Sequence, residues 1–433
     1  MIKEIYNEND FLQTLKQAKE EQYKITFCSE KNADDISFTS NYKYIQIKNK
    51  MNKLIEINTK EEYVIVESGV TWFNLIQELD NYGYTIISCQ SGLTFSVGGS
   101  FCGNVHGKKT KIPMVKDTVI EIEYIDGMGN KHKVKSYDTI FQSFPGSLGL
   151  LGFITTMKIK IQKKYGVRLE VYTISLNNES IQSIKKLSND KNVSMINFQC
   201  SYFEKIQEIL ISIFYCETCN NELEDIKLSS VNEHIKIYYT FIILLFWLMS
   251  KFEFLDDYRW SIEKNALQKL YNPKCININN SYDTWTRLYV KDFKIMEFFF
   301  PIDHFLYCQK RIMKIFSKNN MKILSSGSRI VFEQQLNYQG FLRFSQYASK
   351  EKPYISLVIN FIEDKSKLEN ITDEIREEII NKNIKMTYHT TYSWNFTKKD
   401  MYFMFPEIPH FILLKTKLDP NHLFSNKFSE KYF

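Results

Sequence analysis

The chain has 433 residues, of which 44% are hydrophobic and 24% are charged, a composition that is ordinary for a globular protein. This length is enough for two or three domains with a large buried core, and the composition excludes a disordered chain. The net charge of +6 comes from 56 basic and 50 acidic residues without a long run of one sign, which excludes a nucleic-acid-binding footprint and leaves only weak attraction to anionic partners.

Cysteine usage and the N-terminus predict a cytoplasmic location. The eight cysteines are scattered, which is typical of free thiols in a reducing compartment. The pair Cys216 and Cys219 has the spacing of a metal or redox site, but no second pair or histidine cluster accompanies it, so we expect no metal. The first residues are amphipathic and charged and lack the apolar core of a signal peptide.

The first elements in chain order predict an α+β domain. Helical periodicity extends from Asn7 to Glu20, and a second helix is predicted from Thr71, as N-cap, to Tyr82, just before Gly83. Short alternating runs between these helices predict strands. They cover residues 23–27, 44–48, 53–58 and 62–69.

A glycine-rich segment follows, SGLTFSVGGSFCGNVHGK, from Ser91 to Lys108. Twelve of the fifteen glycines of the chain lie between Gly69 and Gly152, so this region has the most exposed backbone. Glycines let a main chain approach a ligand closely, and a loop of backbone N–H groups can hold an anion. The segment therefore predicts either a cradle for a phosphate-bearing cofactor or a glycine-rich hairpin without a ligand.

The rest of the first region predicts a β-hairpin and a closing strand. The hairpin has its turn at residues 126–129, and the strand covers 153–161, after the small-residue turn FPGSLG. We place the boundary of this first domain at residues 1–165.

From residue 166 glycine nearly vanishes and aromatic residues dominate, which indicates a second, sheet-bearing domain over residues 166–384. Predicted strands cover 169–176, 195–200, 210–215, 285–300, 328–332 and 355–361, and predicted helices cover 181–187, 202–208, 303–319 and 365–381. The aromatic tail, residues 385–433, is expected to pack back onto another domain, with a helix end or turn at Asp419 to Phe424.

One long apolar run, IYYTFIILLFWLM, extends from Ile237 to Met249. As a helix it reaches about 20 Å, short of a bilayer core of roughly 30 Å. It is therefore either a buried helix or an interfacial anchor flanked by lysines, which would make the protein peripheral to the inner face of a membrane.

Several motifs together resemble the FAD-linked oxidases of the vanillyl-alcohol-oxidase and p-cresol-methylhydroxylase (PCMH) type. They are ESGVTWFNLIQELDNYG, SGLTFSVGGSFCGNVHGK, VKDTVIEIEYIDGMG, FPGSLGLLGFITTMKIKI and KLDPNHLFSNKF, in that order along the chain. Among these oxidases the chain is most similar to sugar-acting members, the decaprenylphosphoryl-ribose oxidases and the aldonolactone and alditol oxidases.

This resemblance implies a two-part, PCMH-type FAD-binding domain, made of the N-terminal region and the end of the chain, around a substrate domain with an antiparallel sheet flanked by helices. It implies noncovalently bound FAD, because the first phosphate loop lacks the histidine that attaches flavin in covalent members. The implied FAD contacts are Ser91, Gly92, Ser96, Val97, Gly98, Gly99, Gly103, Asn104, His106 and Ile154.

The first phosphate loop departs from the family, because residues 26–35 read TFCSEKNADD, with two acidic residues at the end and no glycine. Either Cys28 to Asn32 binds through backbone groups in another geometry, or the flavin affinity is low, or the site is degenerate.

Flavin oxidation of an alcohol requires hydride delivery to N5 of the flavin and a base for the hydroxyl proton. The resemblance places the base on the strand that opens the tail, where His389 is the first candidate and Tyr392 the second. Packing of both rings is the alternative. Glu297 and Arg329 are candidates for holding a substrate hydroxyl and a phosphate or carboxylate, the alternative being ordinary exposed charges.

Three functions remain open. The first is FAD-dependent oxidation of a sugar or lipid-linked sugar, with an NAD(P)H-dependent reductase acting in tandem as a candidate partner and with membrane contact through Ile237 to Met249. The second is a soluble aldonolactone or alditol oxidase. The third is a flavin-free, degenerate family member that acts as a binding protein.

Overall fold

The computed structural model describes three sheets and the helices packed on them. The described residues are 1–28, 43–217, 245, 248–249, 252, 255–270, 275–279, 293–334, 342–392 and 395–433. Within them no helix is long and apolar enough to cross a membrane. Most of the apolar run from Ile237 to Met249, and residues 29–42 of the predicted first phosphate loop, lie outside the described part of the chain.

The first sheet is parallel, with the strand order β1, β3, β2. Its strands are β1 (Ile2–Ile5), β2 (Lys24–Cys28) and β3 (Tyr44–Asn49). Helix α1 (Glu8–Glu20) begins at a capping box, in which the Asn7 side chain accepts from the backbone N–H of Asp10, and its apolar side buries Phe11 and Leu15 against the sheet. The predicted helix and strands are confirmed here.

The second sheet is antiparallel and completes the α+β N-terminal region. Its strands are β4 (Leu54–Asn58), β5 (Tyr63–Glu67), β6 (Tyr84–Ile86), β7 (Val119–Ile125), β8 (Lys131–Lys135) and β9 (Phe153–Lys163). Helix α2 (Trp72–Asp80) has Thr71 as its N-cap, as predicted. The predicted hairpin is β7 and β8, and Gly129 in its turn has a φ of 95°, a conformation that favours glycine.

The third sheet has eight antiparallel strands in the order β13, β10, β12, β11, β15, β16, β14, β17. These strands are β10 (Gly166–Ser175), β11 (Val193–Cys200), β12 (Glu208–Glu217), β13 (Cys275–Asn277), β14 (Phe293–Pro301), β15 (Ile323–Val331), β16 (Tyr354–Ile362) and β17 (Thr387–Tyr388).

Helices flank this sheet, so the predicted architecture of the substrate domain is confirmed. Two short helices belong to the N-terminal region, α3 (Val97–Cys102) and α4 (Thr139–Ser143). The helices on the side of the third sheet are α5 (Asn178–Asn189), α6 (Asp256–Leu270), α7 (Ile302–Lys318) and α8 (Leu368–Ile375). The helix predicted over 365–381 forms as a 3₁₀ turn (Lys365–Lys367), α8 and a π-helical turn (Arg376–Ile380).

The helix predicted over residues 202–208 is wrong. The backbone N–H of Ser201 bonds to Glu208 O at 2.9 Å, and that of Leu176 bonds to Gln207 O at 2.9 Å. These bonds hold the segment as a short connection between β11 and β12, because sheet pairing satisfies its backbone groups better than an isolated helical turn would.

The end of the chain contacts both the first and the third sheet. It contains β17 and the helices α9 (Lys398–Met404), α10 (Ile408–Leu418) and α11 (Lys427–Tyr432). Phe424 forms a parallel bridge with Ile25, and Tyr388 pairs with Phe298 of β14. Asp419, just after α10, is buried and accepts from the N–H groups of Leu423 and Phe424. The division at residues 165 and 384 stays a prediction.

Candidate active site

The centre of the glycine-rich segment is helix α3 rather than the loop expected from the sequence. Its N-cap Ser96 accepts from the N–H of Gly99 at 3.2 Å. The N–H of Gly98 bonds to Ser68 O, and that of Val97 bonds to Val70 O, each at 2.9 Å. These bonds from the loop after β5 start a helical turn that the glycine content alone does not predict.

The neighbouring glycines of α3 have different surroundings. A Cβ at Gly98 would lie 2.7 Å from Ser68 Cβ and 2.9 Å from Ser68 O, so this glycine is needed for close packing within the protein. Gly99 is exposed. Apart from the backbone of α3 itself, a Cβ at Gly99 would meet only the N-cap hydroxyl, Ser96 Oγ, at 3.0 Å. Gly99 therefore leaves an open patch of backbone at the surface of α3.

The other glycines of the segment make room for the protein itself. A Cβ at Gly103 would lie 3.2 Å from Thr391 Cγ2, and one at Gly107 would lie 2.3 Å from Cys89 O. A Cβ at Gly92 would lie 2.5 Å from the ring of Phe95. The close approach at Gly103 brings the C-terminal tail against the end of α3.

A buried hydrogen bond joins this segment to the third sheet. His106 Nε2 lies 2.8 Å from Oε1 of Glu297 on β14, and both side chains are buried. The rings of Phe299 and Phe344 meet the His106 ring edge-on, at centroid distances of 5.6 and 5.7 Å. The hydrogen bond is thereby held in an apolar surrounding, where hydrogen bonds are stronger than in water.

Arg329 on β15 forms a second link. Its Nη2 donates to Ser91 Oγ at 2.7 Å, and its Nε donates to Asn197 Oδ1 at 3.4 Å. The side chain is only partly exposed, and Glu297 is among the groups that act on it electrostatically. Neither Glu297 nor Arg329 is therefore an ordinary exposed charge.

The tail contributes the third part of the cluster. The backbone N–H of His389 donates to the backbone carbonyl of Glu297 at 2.9 Å. In the His389 side chain, Nδ1 lies 2.6 Å from Thr391 Oγ1. Phe344 packs 5.1 Å from the buried His389 ring, and the ring of Tyr392 lies 5.5 Å from it on centroids. His389 and Tyr392 thus lie beside the hydrogen-bonded His106 and Glu297.

The charges of the cluster follow from burial and from neighbours. Burial lowers the pKa of His389 to about 4, so its imidazole is neutral at neutral pH. Burial alone would raise the pKa of Glu297, but His106, His389 and Arg329 lower it to about 2. Glu297 is therefore a carboxylate beside a neutral His389.

The sequence-predicted residues fall into two groups. Ser91, His106, Glu297, Arg329, His389 and Tyr392 form the cluster just described. Ser96, Val97, Gly98 and Gly99 lie on or next to α3, and Ile154 on β9 is tied to them because its carbonyl accepts from Ser68 Oγ at 2.5 Å. Gly103 and Asn104 connect α3 to His106 along the chain, and Gly92 packs against the ring of Phe95.

Sequence reasoning missed the segment from Leu342 to Ser345. Phe344 stacks on Phe299 at a centroid distance of 3.8 Å and contacts both histidines. Arg343 is 1% exposed and pairs with Glu333. An arginine inside the apolar run GFLRF is the signal that was available, since a buried arginine requires a buried acid.

Comparisons with known proteins match the N-terminal region and most of the chain. Residues 3–135 match the FAD binding domain family. The chain is 21% identical to the L-gulonolactone oxidases of Bos taurus and Mus musculus, over 89% of this chain and 84% of each relative. It is also 28% identical to a putative D-arabinono-1,4-lactone oxidase of Neurospora crassa, over 29% of this chain and 23% of that protein.

A solved structure shows the same fold. A mutant of the cholesterol oxidase from Brevibacterium sterolicum superposes with a TM-score of 0.71 over 99% of this chain and 93% of that chain, at 12% sequence identity. At this identity the likeness shows the fold alone.

The residues of the site fit a bound FAD. The exposed backbone at Gly99 has no side chain of its own and is crowded only by Ser96 Oγ, so a flat group can approach it closely. Two buried polar atoms on the same segment, Asn104 Oδ1 and His106 Nδ1, have no hydrogen-bond partner among the described residues, as expected of atoms that contact a bound ligand. The chain has a PCMH-type FAD-binding domain and is an FAD-dependent oxidoreductase homologous to L-gulonolactone oxidase.

Proposed function

We propose that this protein oxidises an alcohol carbon of a sugar or sugar lactone. FAD, when bound, would supply the hydride acceptor, its N5. The observation that carries the proposal is the meeting of His106, Glu297, Arg329 and His389, which come from three distant parts of the chain, beside a segment of the FAD-binding domain.

We propose His389 as the base that takes the hydroxyl proton. Its lowered pKa, about 4, keeps the ring neutral, so it has a lone pair to accept a proton. This role requires the tautomer in which Nδ1–H donates to Thr391 Oγ1, because Nε2 is then the accepting nitrogen. Tyr392, next to this ring, is the second candidate.

We propose Glu297 and Arg329 as the residues that hold the substrate. A carboxylate accepts several hydrogen bonds, so Glu297 can accept from a sugar hydroxyl while His106 occupies its Oε1. Arg329 donates to Ser91 and Asn197 through Nη2 and Nε and, with five N–H groups in all, can also donate to a ring or carbonyl oxygen.

A sugar lactone is the substrate class favoured by the comparisons. L-gulonolactone oxidases match nearly the whole chain. Membrane contact by Ile237 to Met249 and a tandem NAD(P)H-dependent reductase, the features proposed for a lipid-linked sugar, stay predictions, and most of that apolar run lies outside the described residues. The lipid-linked sugar therefore enters the test as the competing substrate.

The first experiment is a flavin spectrum of the purified protein, because a flavin-free binding protein would be colourless even after incubation with FAD. The flavoprotein is then mixed anaerobically with L-gulono-1,4-lactone, D-arabinono-1,4-lactone, an alditol and a polyprenyl-phosphate sugar in detergent. We expect the lactones to bleach the flavin fastest. Bleaching by the lipid-linked sugar alone would replace the proposed substrate, and bleaching by none would overturn the proposal.

An Arg329→Lys variant is the matched test of the substrate role. Lysine keeps the charge but cannot hold the same pair of bonds, so KM should rise by about tenfold while FAD stays bound. An unchanged KM would remove Arg329 from the substrate site.

A further inference from the structure

A second buried carboxylate lies behind the glycine-rich segment. Glu333, 3% exposed, pairs through Oε2 with Lys116 Nζ at 3.2 Å and with Arg343 Nη1 at 3.3 Å. Its Oε1 accepts from Ser345 Oγ at 2.5 Å. Although burial raises the pKa of Glu333, Lys116 and Arg343 lower it below its ordinary value, so it is ionised.

An ionised carboxylate fixes the direction of every hydrogen bond that follows it. Glu333 can only accept, so the hydroxyl hydrogen of Ser345 is committed to it. The Ser345 oxygen must then act as the acceptor for Asn104, whose Nδ2 lies 3.4 Å away. The Asn104 amide is thereby oriented with Nδ2 toward Ser345 and with Oδ1 toward the other side.

The outward-facing oxygen is the unusual feature. Asn104 is 2% exposed, and its Oδ1 has no hydrogen-bond partner in the part of the chain that the structure describes. A buried acceptor without a donor costs free energy and is rare, so the observation itself points to a ligand that supplies the donor. The backbone of Asn104 has a φ of 52°, which asparagine tolerates better than most residues, so the side chain is presented from a tight turn directly after α3.

We infer that Glu333 is a positioning residue which, through Ser345, turns Asn104 so that its Oδ1 accepts a hydrogen bond from an N–H or O–H group of bound FAD. Glu333 lies beyond residues 3–135, so the third-sheet side of the molecule helps the FAD-binding domain to hold its cofactor. The inference rests on FAD binding and not on the identity of the substrate.

Ser345→Ala is the mildest test. It breaks the relay, by which we mean the hydrogen bonds from Asn104 to Ser345 and from Ser345 to Glu333. The bonds of Glu333 to Lys116 and Arg343 remain, so the protein should fold. We expect the dissociation constant of FAD, measured by flavin fluorescence with apoprotein and no substrate, to rise about tenfold. An unchanged constant, including the case in which only KM for a sugar lactone rises because the donor is a substrate hydroxyl, would overturn the inference.

Reversal of the relay separates positioning from a merely structural bond. Asn104→Asp places an acceptor against the Ser345 oxygen, which has no hydrogen left to give, and should weaken FAD binding by about tenfold or more. In the double variant with Glu333→Gln, the new amide can donate to Ser345, which can then donate to the new carboxylate, and the buried charge of the network is conserved.

We expect the double variant to bind FAD within about threefold of the wild type, better than Asn104→Asp alone. Circular dichroism and thermal unfolding check that each variant is folded. A folded double variant that binds no better than Asn104→Asp would contradict the relay.

Discussion

The FAD-binding domain and the third sheet contribute to the candidate active site in different ways. The FAD-binding domain provides a backbone surface, which is the turn of α3 with the exposed Gly99. This surface lies within one segment of eighteen residues, from Ser91 to Lys108. The third sheet and the tail after it provide buried charged and polar side chains, Glu297, Arg329 and His389, from three separate strands or their ends. A backbone site is local in sequence, whereas a charged site depends on long-range strand pairing.

The largest effect should come from removing the central charge on the side of the third sheet. Glu297→Leu leaves His106 and Arg329 without their carboxylate, and loss of one partner from a buried pair destabilises a protein by about 3–5 kcal/mol. Chemical denaturation measures this loss. The exposed Glu369→Leu on α8 is the control, expected within about 0.5 kcal/mol of the wild type. Equal unfolding curves for both variants would show that Glu297 carries no structural charge.

The next effect separates two adjacent glycines on the side of the FAD-binding domain. Gly99→Val should leave a folded but colourless protein, with FAD bound at least about 100-fold more weakly. The new side chain covers the open backbone surface, and within the protein it approaches only Ser96 Oγ. Gly98→Ala should lower the free energy of unfolding by about 1–3 kcal/mol, since its Cβ would collide with Ser68. A Gly99→Val protein that keeps its yellow colour at full occupancy would refute the cofactor surface.

The same contrast explains what could be predicted from the sequence. Local signals gave the Thr71 cap, the hairpin of β7 and β8 and the location of the glycine-rich segment. They failed to predict α3, because its first bonds go to Ser68 and Val70 in another loop.

The relay was also missed, because Glu333 and Ser345 are far from Asn104 in the sequence and only the folded chain brings the three side chains together. His389, Glu297 and Arg329 were candidates through the family resemblance, and their assigned roles stay predictions.

A pH series tests the charge of His389. The rate of flavin reduction should be constant from neutral pH down to about pH 5 and fall about tenfold per pH unit below the pKa of about 4, where the base is protonated. Because the pKa is lower in the folded protein than its ordinary value of 6.5, the unfolded chain binds more protons between the two values. The stability contribution of His389 is therefore present above pH 6.5 and is lost as the pH falls toward 4. A kinetic midpoint near 6.5 would show that His389 is not buried during the reaction.

The smallest effect should come from the hydroxyl that orients His389. Thr391→Val removes the partner of Nδ1 and should slow flavin reduction by about three- to tenfold, with FAD binding unchanged. Thr416→Val on α10, an exposed position, is the control and should be silent. A Thr391→Val rate equal to that of this control would mean that the tautomer is fixed in another way.

The most direct test of the whole account is anaerobic, single-turnover reduction of the flavin by a sugar lactone in the wild type and in His389→Ala. We expect the His389→Ala variant to stay yellow with the same FAD affinity. Its flavin reduction rate should fall by about 100- to 10,000-fold, the range expected for loss of a general base. A variant that is reduced as fast as the wild type would contradict it, because the cluster around Glu297 would then not be the place where the alcohol is deprotonated.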